Sequence, residues 1–198
     1  MKKQYKNSEF NLTSDEVQIL INAADNFRDR MIIESLYYPA LRRFEVATMR
    51  VENVNFQSQR ITIIGKGEKI SPIPVGSIYP EYMATLKLFI GKRKTGYVFL
   101  SNRGTKLSNV RINQILKKIS GFSGLENPNP TKTYINPHLL RHSQARRLKS
   151  NRFPIEFVQK YLRHSSMKTT MDEYGTLGIN EMEKIAYSFN QERTRLLN

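Results

Sequence analysis

The segment Pro137-His138-Leu139-Leu140-Arg141-His142 contains two of the three histidines in the chain. It opens a helix predicted over 138–149, so His138 and His142 fall on one face of that helix at i and i+4. Such a pair could bind a metal, but the zinc-protease motif needs a glutamate directly after the first histidine, and Leu139 stands there. The spacing by itself favours a pair of hydrogen-bonded histidines on a buried helix.

Arg141 adds a second chemistry to this helix, because it lies three residues after His138 and projects from a neighbouring point. A guanidinium supplies two parallel charge-assisted donors, and an imidazole exchanges a proton near neutral pH, so the two side chains suit a phosphate. Arg42 follows a predicted helix break at Pro39 and could supply a second guanidinium. Two arginines on one phosphodiester would stabilise the extra charge of a pentavalent transition state. Taken separately, each arginine is better explained as an ordinary surface charge.

The net charge points to a polyanionic partner. The 198 residues include 32 Lys and Arg against 17 Asp and Glu, which gives +15 and an isoelectric point near 10.1. Thirteen basic and two acidic residues fall within 103–163. This clustering favours nucleic acid over an anionic membrane or a ribosomal surface, the two alternatives that charge alone leaves open.

Composition excludes several other classes. The chain has no cysteine, which rules out a disulfide framework, thiolate zinc sites, iron–sulfur clusters and a cysteine nucleophile. Apolar runs stay short of the roughly 18 residues that a membrane helix needs, and polar residues follow Met1-Lys2-Lys3 where a signal peptide would be apolar.

Local patterns predict a mainly α fold with a small antiparallel β-sheet, an α+β class. Thr13 and Glu16 form a capping box that starts the first helix. Pro72 and Pro74 remove ladder donors, so their strand belongs at a sheet edge. Further helices are predicted over 28–36, 43–49, 81–90, 108–119, 138–149, 154–162 and 167–174, strands over 54–56, 60–64 and 70–75, and a loop over 125–133.

Four segments, in order along the chain, resemble the signature boxes of the tyrosine recombinases, the phage-integrase family. The resemblance extends from about Thr13 to Tyr174 and is most specific in the last two boxes. The segments are Ala40-Leu41-Arg42-Arg43-Phe44-Glu45, Ile64-Gly65-Lys66-Gly67-Glu68-Lys69, Pro137-His138-Leu139-Leu140-Arg141-His142, and Leu162-Arg163-His164-Ser165-Ser166-Met167-Lys168-Thr169-Thr170-Met171-Asp172-Glu173-Tyr174.

The resemblance implies the tyrosine recombinase catalytic-domain fold, of the DNA breaking-rejoining type, and a covalent reaction. Tyr174 would attack the scissile phosphate and leave a 3′-phosphotyrosyl bond with a free 5′-hydroxyl. Covalent capture conserves the phosphodiester bond energy, so neither a metal nor a nucleotide cofactor is implied. Tyr161, the nearest rival tyrosine, falls on an apolar stripe and is expected in the core.

The other family roles transfer position by position. Arg42 and Arg141 would clamp the non-bridging oxygens. Lys66 would protonate the leaving 5′-oxygen, with Lys69 as its rival. The remaining residues are His138 for proton transfer, His164 as a hydrogen-bond donor to phosphate, Glu45 as the group that holds an arginine, and Lys69, Arg43, Arg146, Arg147 and Arg163 as DNA contacts.

Two positions depart from the family pattern. Pro39-Ala40 stand where the family usually has Thr-Gly, and alanine is tolerated there if its φ is negative. Arg163 replaces the glycine that usually precedes the last histidine, and we expect it to contact phosphate or to point outward.

The expected organisation is a single catalytic domain over 1–198, with a core over about 13–174, a tail helix over 179–198 and no N-terminal DNA-gripping domain. The sequence leaves open an excised domain or a naturally short member, such as the fimbrial-switch invertases. The tail would dock on a neighbouring protomer or fold back on its own core. The expected partners are double-stranded DNA and further copies of the chain, as a tetramer on DNA, in the cytoplasm at the nucleoid and not at a membrane.

The leading function is therefore a site-specific tyrosine recombinase or integrase of a phage or mobile element. A type IB topoisomerase shares the catalytic residue types and would relax DNA as a monomer. A non-catalytic DNA-binding accessory protein is the third alternative.

Overall fold

A computed structural model describes residues 10–64, 70–164 and 170–171. Within these ranges the fold is mainly helical with one three-stranded antiparallel sheet, which confirms the predicted class. The elements are α1 Ser14–Asn22, α2 Phe27–Tyr37, α3 Arg43–Thr48, β1 Val54–Asn55, β2 Arg60–Ile64, β3 Ile70–Ile73, α4 Pro80–Ile90, α5 Asn109–Ser123, α6 Pro137–Ser150 and α7 Ile155–Leu162, with short 3-10 turns at Val51–Asn53 and Val75–Ser77.

The start of α1 is fixed by the predicted capping box. The Thr13 hydroxyl accepts from the Glu16 backbone N–H at 3.2 Å, and the Glu16 carboxylate accepts from the Thr13 N–H at 2.7 Å. These bonds satisfy donors that have no partner within the helix. Val17, Leu20 and Ile21 then face the core, as their helical spacing predicts.

The sheet has the order β1-β2-β3, and Pro72 of β3 pairs with Thr62 of β2. The strand with the proline therefore lies at an edge, as predicted. It ends at Ile73 instead of continuing to 75, because Pro74 leaves the extended conformation and a 3-10 turn follows. The expected hairpin tip, with Lys66 and Lys69, lies outside the described residues.

Helix α2 forms the centre of the core and packs against α1, α3, α4, α5 and α6. Met31, Ile32, Ile33 and Leu36 are fully buried. Helix α6 packs on both α2 and α7. Three segments therefore meet: the loop that leaves α2, the first turns of α6 and the end of α7. They carry the boxes that include Arg42, the two α6 histidines and His164.

Two smaller features complete the fold. Helix α5 runs to Ser123, four residues beyond the predicted end, and stops where Gly124 adopts a left-handed conformation with φ +67°. Of the helices in the described ranges, none is long and apolar enough to cross a membrane.

Candidate active site

Arg141 joins three separate segments at the centre of the site. Its side chain is buried, and its two terminal nitrogens donate to the backbone carbonyls of Ala40 and Leu162. Ala40 lies in the loop after α2, and Leu162 is the last residue of α7. The guanidinium therefore fixes the N-terminal part of α6 to both neighbouring segments.

Arg42 and Glu45 form the second part of the site. Arg42 Nη1 lies 3.0 Å from Glu45 Oε1, and the Arg42 backbone N–H donates to Glu45 Oε2 at 2.7 Å. The Glu45 side chain is 2% exposed, whereas that of Arg42 is 38% exposed. Glu45 thus contacts both the side chain and the backbone of Arg42, and Arg42 stays accessible to a ligand.

Arg163 does not occupy the surface position expected for a DNA contact. Its side chain is 5% exposed, and its Nη2 lies 2.6 Å from Glu45 Oε2. The guanidinium also donates to the carbonyl oxygens of Ala40 at 2.9 Å and Tyr161 at 2.8 Å. These acceptors and the Glu45 charge stabilise the cation inside the protein, so the expectation that Arg163 points outward is wrong.

The Glu45 carboxylate is held ionised by these neighbours. Burial alone would raise the pKa of Glu45, but the charge and hydrogen bond of Arg163 and the backbone N–H of Arg42 outweigh it. The pKa of Glu45 therefore lies below its ordinary value, and the group is an anion at neutral pH.

Both departures from the family pattern fall on left-handed backbone. Ala40 has φ +49° and Arg163 has φ +55°. The condition of a negative φ at Ala40 is therefore not met, and both side chains stand where glycine would be less strained. Both residues are joined through the hydrogen bond from the Arg163 guanidinium to the Ala40 carbonyl.

His138 and His142 lie against each other on α6, with ring centroids 4.2 Å apart. His142 is buried, and His138 is exposed at a cleft of about 420 Å³ that Lys132 also lines. Partial desolvation in the cleft and the charge of Arg141 lower the pKa of His138. Burial and the charge of His138 lower the pKa of His142 to about 3. Across the described ranges, no three His, Cys, Asp or Glu side chains form a group that could hold a metal.

His164 follows the end of α7 and joins the same charged region. Its Nδ1 lies 2.9 Å from the hydroxyl of Thr170, which is fully buried. Burial and the charges of Arg141 and Arg42 lower the pKa of His164 to about 4. Sequence reasoning missed Thr170, because nothing in the sequence distinguishes it from Thr169.

The other expected DNA contacts lie nearer the surface. Arg43 is exposed, and Arg146 and Arg147 are half-buried along α6. Arg147 donates to the Tyr37 hydroxyl at 3.3 Å and lies over the Tyr79 ring. Part of the predicted basic surface, at Arg43, Arg146 and Arg147, is therefore accessible to solvent.

Two further tyrosine predictions have different outcomes. Tyr161 is buried and its hydroxyl donates to the Tyr38 carbonyl at 2.7 Å, so its expected core position is confirmed. Tyr174, the tail over 179–198 and most of the helix predicted over 167–174 lie outside the described residues.

Comparison with known proteins agrees with this geometry. A model of the phage integrase family matches residues 11–177. The tyrosine recombinase XerD of Listeria innocua is 34% identical over 170 residues, which cover 80% of this chain and 55% of that protein. XerA of Pyrococcus horikoshii is 32% identical over 169 residues, which cover 80% and 54%. The chain spans about half the length of these curated relatives.

Solved structures share the fold. The crystal structure of XerA recombinase has a TM-score of 0.72 at 24% identity, over 90% of this chain and 64% of that one. The XerH site-specific recombinase bound to difH substrate, a pre-cleavage complex, has a TM-score of 0.67 at 22% identity, over 93% and 56%. With the family match over residues 11–177, the sequence resemblance is confirmed, and the chain belongs to the phage integrase family of tyrosine recombinases.

Proposed function

We propose that this chain is the catalytic domain of a site-specific recombinase that cleaves and rejoins DNA through a 3′-phosphotyrosyl intermediate. The observation that carries the proposal is the meeting of Arg42, His138, Arg141 and His164 from three separate segments. Burial and the neighbouring cations Arg141 and Arg42 depress the pKa values of both histidines. A site with such concentrated positive potential suits an anion, and a phosphodiester fits its donors.

The arginines would act on the non-bridging oxygens. Arg42 is accessible and held by Glu45, so it binds one oxygen directly. Arg141 holds the surrounding loops and adds its charge beside the phosphate. Because the extra charge develops only as the phosphorus becomes pentavalent, this preorganised field lowers the barrier.

The covalent step exchanges one phosphate ester for another. The Tyr174 phenol oxygen bonds to phosphorus while the bond from phosphorus to the 5′-oxygen breaks. The leaving oxygen takes a proton from Lys66, with Lys69 as the alternative donor, and becomes a 5′-hydroxyl. The phenol proton passes to His138 or to solvent. Attack by a 5′-hydroxyl on the phosphotyrosine reverses these steps and rejoins the strand.

Thr170 would set the orientation of His164. A neutral imidazole carries one N–H, and a Thr170 hydroxyl that donates to Nδ1 places that N–H on Nε2. Nε2 then donates to a phosphate oxygen. The depressed pKa keeps His164 neutral near pH 7, so the imidazole meets the phosphate as a neutral donor.

The proposed partners follow from this reaction. The substrate is double-stranded DNA, and Arg43, Arg146 and Arg147 contact its backbone. Exchange between two sites needs four active sites, so the chain assembles as a tetramer on DNA, at the nucleoid. Residues 1–198 act as one catalytic domain whose core ends at about Tyr174.

Covalent capture from random sequence tests the proposal. The protein is incubated with nicked duplexes that contain a randomised segment, and DNA that stays attached under denaturing conditions is sequenced. We expect one sequence to be enriched, with the protein attached to the 3′-phosphate at the break. Tyr174→Phe should bind the enriched duplex with little change and form no adduct, whereas the control Tyr161→Phe should still form it.

The same experiment separates the alternatives. DNA binding without any adduct would leave only the accessory-protein function and contradict the proposal. An adduct formed without sequence enrichment, together with relaxation of supercoiled plasmid, would indicate a topoisomerase instead.

A further inference from the structure

We propose that Arg163 is a positioning residue for cleavage, which fixes Arg42 through Glu45 and leaves Arg42 free to bind phosphate. This inference rests on the proposed recombinase function. The family usually has glycine at this position, so the role belongs to this chain in particular.

Arg163 contacts several residues of the segment from Pro39 to Glu45, which contains Arg42. Its Nε and Nη2 lie 3.3 and 2.6 Å from the two oxygens of Glu45. Its Nη groups also donate to the carbonyls of Pro39, Ala40 and Tyr161. Its own carbonyl accepts from Arg42 Nη2 at 3.2 Å. Arg163 therefore contacts Arg42 directly and also through the carboxylate.

The two oxygens of Glu45 are shared between the arginines. Oε1 accepts from Arg42 Nη1 and Arg163 Nε, and Oε2 accepts from the Arg42 backbone N–H and Arg163 Nη2. This arrangement fixes the plane of the carboxylate and, through it, the direction of the Arg42 guanidinium. With a glycine at 163, Arg42 alone would constrain the rotation of the carboxylate.

Charge balance gives the second part of the argument. Arg42, Glu45 and Arg163 together carry a net charge of +1, whereas Arg42 and Glu45 alone are neutral. Without Arg163, the buried carboxylate would draw the Arg42 guanidinium toward itself and out of line with the pentavalent phosphate, while the cation would stay beside the DNA backbone. With Arg163 in place, Glu45 orients Arg42 while Arg163 also compensates the charge of the carboxylate.

The chain offers a matched control for the backbone effect. Arg152 also has a left-handed conformation, with φ +62°, but it is exposed in the turn after α6. Arg152→Gly and Arg163→Gly therefore remove the same charge and relieve the same kind of backbone strain. Only Arg163→Gly removes the contacts to Glu45 and to the loop around Ala40.

The first measurement is single-turnover cleavage of the duplex enriched by covalent capture, at saturating protein. We expect Arg163→Gly to cleave about 10- to 100-fold more slowly, the usual effect of a misplaced group, with DNA affinity within about threefold of the unmodified protein. Arg152→Gly should cleave at the unmodified rate. A folded Arg163→Gly protein that cleaves as fast as Arg152→Gly would overturn the inference.

The second measurement does not depend on cleavage. The Nε–H signals of ¹⁵N-labelled arginines are recorded, and the Arg42 signal is assigned by its loss in Arg42→Lys. We expect Arg163→Gly to shift or broaden the Arg42 signal, and Arg152→Gly to leave it unchanged. If Arg163→Gly shows no cooperative melting, Arg163→Lys is measured in its place, because it keeps the charge and the stem but loses the planar fork.

An Arg42 signal that stays unchanged in the folded variant would contradict the positioning role. Absence of an adduct with the unmodified protein would contradict the proposed function instead, and the Arg42 signal would still decide the role of Arg163.

Discussion

The arginines of this protein fall into an inner and an outer set that the sequence does not distinguish. The inner set is Arg42, Arg141 and Arg163, whose guanidinium groups bind Glu45 and backbone carbonyls. The outer set is Arg43, Arg146 and Arg147, which lie at or near the surface. The same residue type therefore organises the site from within and presents charge outside it.

Two of the inner arginines, Arg141 and Arg163, donate to backbone carbonyls that have no hydrogen-bond donor within their helix. Tyr161 and Leu162 end α7, and the last carbonyls of a helix have no partner within it. Arg163 binds the first of these carbonyls and Arg141 the second. A cation at a helix C-terminus also interacts favourably with the helix dipole. At the end of α7, arginine thus fits in two ways: its guanidinium reaches the unpaired carbonyls, and its positive charge interacts favourably with the helix dipole.

Arg141→Lys should give the largest change, because it keeps the charge and removes only the fork. Lysine lacks the planar pair of terminal nitrogens that reaches the carbonyls of Ala40 and Leu162 together, so a buried acceptor loses its partner. We expect a loss of about 2 to 3 kcal/mol in the free energy of unfolding, together with loss of DNA cleavage. Urea denaturation of Arg141→Lys and Arg146→Lys makes the comparison within one helix.

Arg146→Lys should stay within about 0.5 kcal/mol of the unmodified protein, because it keeps the charge of a half-buried side chain outside the core. Equal losses of stability in the two variants would remove the distinction between the inner and outer sets.

Acid should destabilise the inner region through His142. Its pKa is about 3 in the folded protein, where burial is the main cause, against 6.5 when unfolded. Between these values only the unfolded chain binds the proton, so stability is full above about pH 6.5 and falls as the pH decreases toward 3. Between pH 7 and 5.5 the loss should be about 1 kcal/mol.

Denaturation at both pH values, with His142→Gln as the comparison, measures this contribution. The substitution should reduce the difference between pH 7 and 5.5 by about that amount. A pH dependence of the same size in both proteins would assign the effect to other groups, such as His138 and His164, whose pKa values are also lowered.

The sequence predicted features that depend on near neighbours. The Thr13 capping box, the edge position of Pro72 and the buried stripe that includes Tyr161 each follow from a few adjacent residues. The boxes that contain Arg42 and Arg141 also marked the residues that meet in the site.

The sequence did not predict features that depend on distant contacts. The inward position of Arg163 requires Glu45, which lies 118 residues away. The positive φ of Ala40 occurs in a loop held by Arg141, 101 residues away. In the sequence, a basic residue such as Arg163 beside a histidine suggests a phosphate contact. Only the structure shows that its hydrogen-bond acceptors lie within the protein.

The outer set should control affinity instead of rate. If Arg146 contacts one DNA phosphate, Arg146→Gln should reduce the slope of log affinity against log salt by about 0.9 and weaken binding about equally across sequences. Cleavage at saturating protein should stay within about twofold. Fluorescence anisotropy at several salt concentrations measures the slope.

Arg163→Gly provides the contrast to Arg146→Gln, because the buried guanidinium releases no counterion from DNA. Its salt slope should match that of the unmodified protein. A reduced slope in Arg163→Gly would place that residue back in the outer set.

Ala40→Gly should give the smallest effect, a free energy of unfolding within about 0.5 kcal/mol of the unmodified protein. Ala40 is held at φ +49° by the Arg141 and Arg163 hydrogen bonds to its carbonyl, and glycine adopts this conformation without strain. The relief of about 1 kcal/mol is offset by the greater freedom of glycine in the unfolded chain, about 0.5 kcal/mol, and by the loss of the fully buried Ala40 methyl group, about 0.8 kcal/mol, which leaves little net change. Ala84→Gly is the control, because Ala84 is exposed within α4. There the same substitution should cost about 1 kcal/mol. The free energies of unfolding of the two variants, from thermal and urea denaturation, should therefore differ by about 0.5 to 1 kcal/mol in favour of Ala40→Gly. Equal destabilisation would mean that the inner arginines do not hold Ala40 in the left-handed conformation in solution.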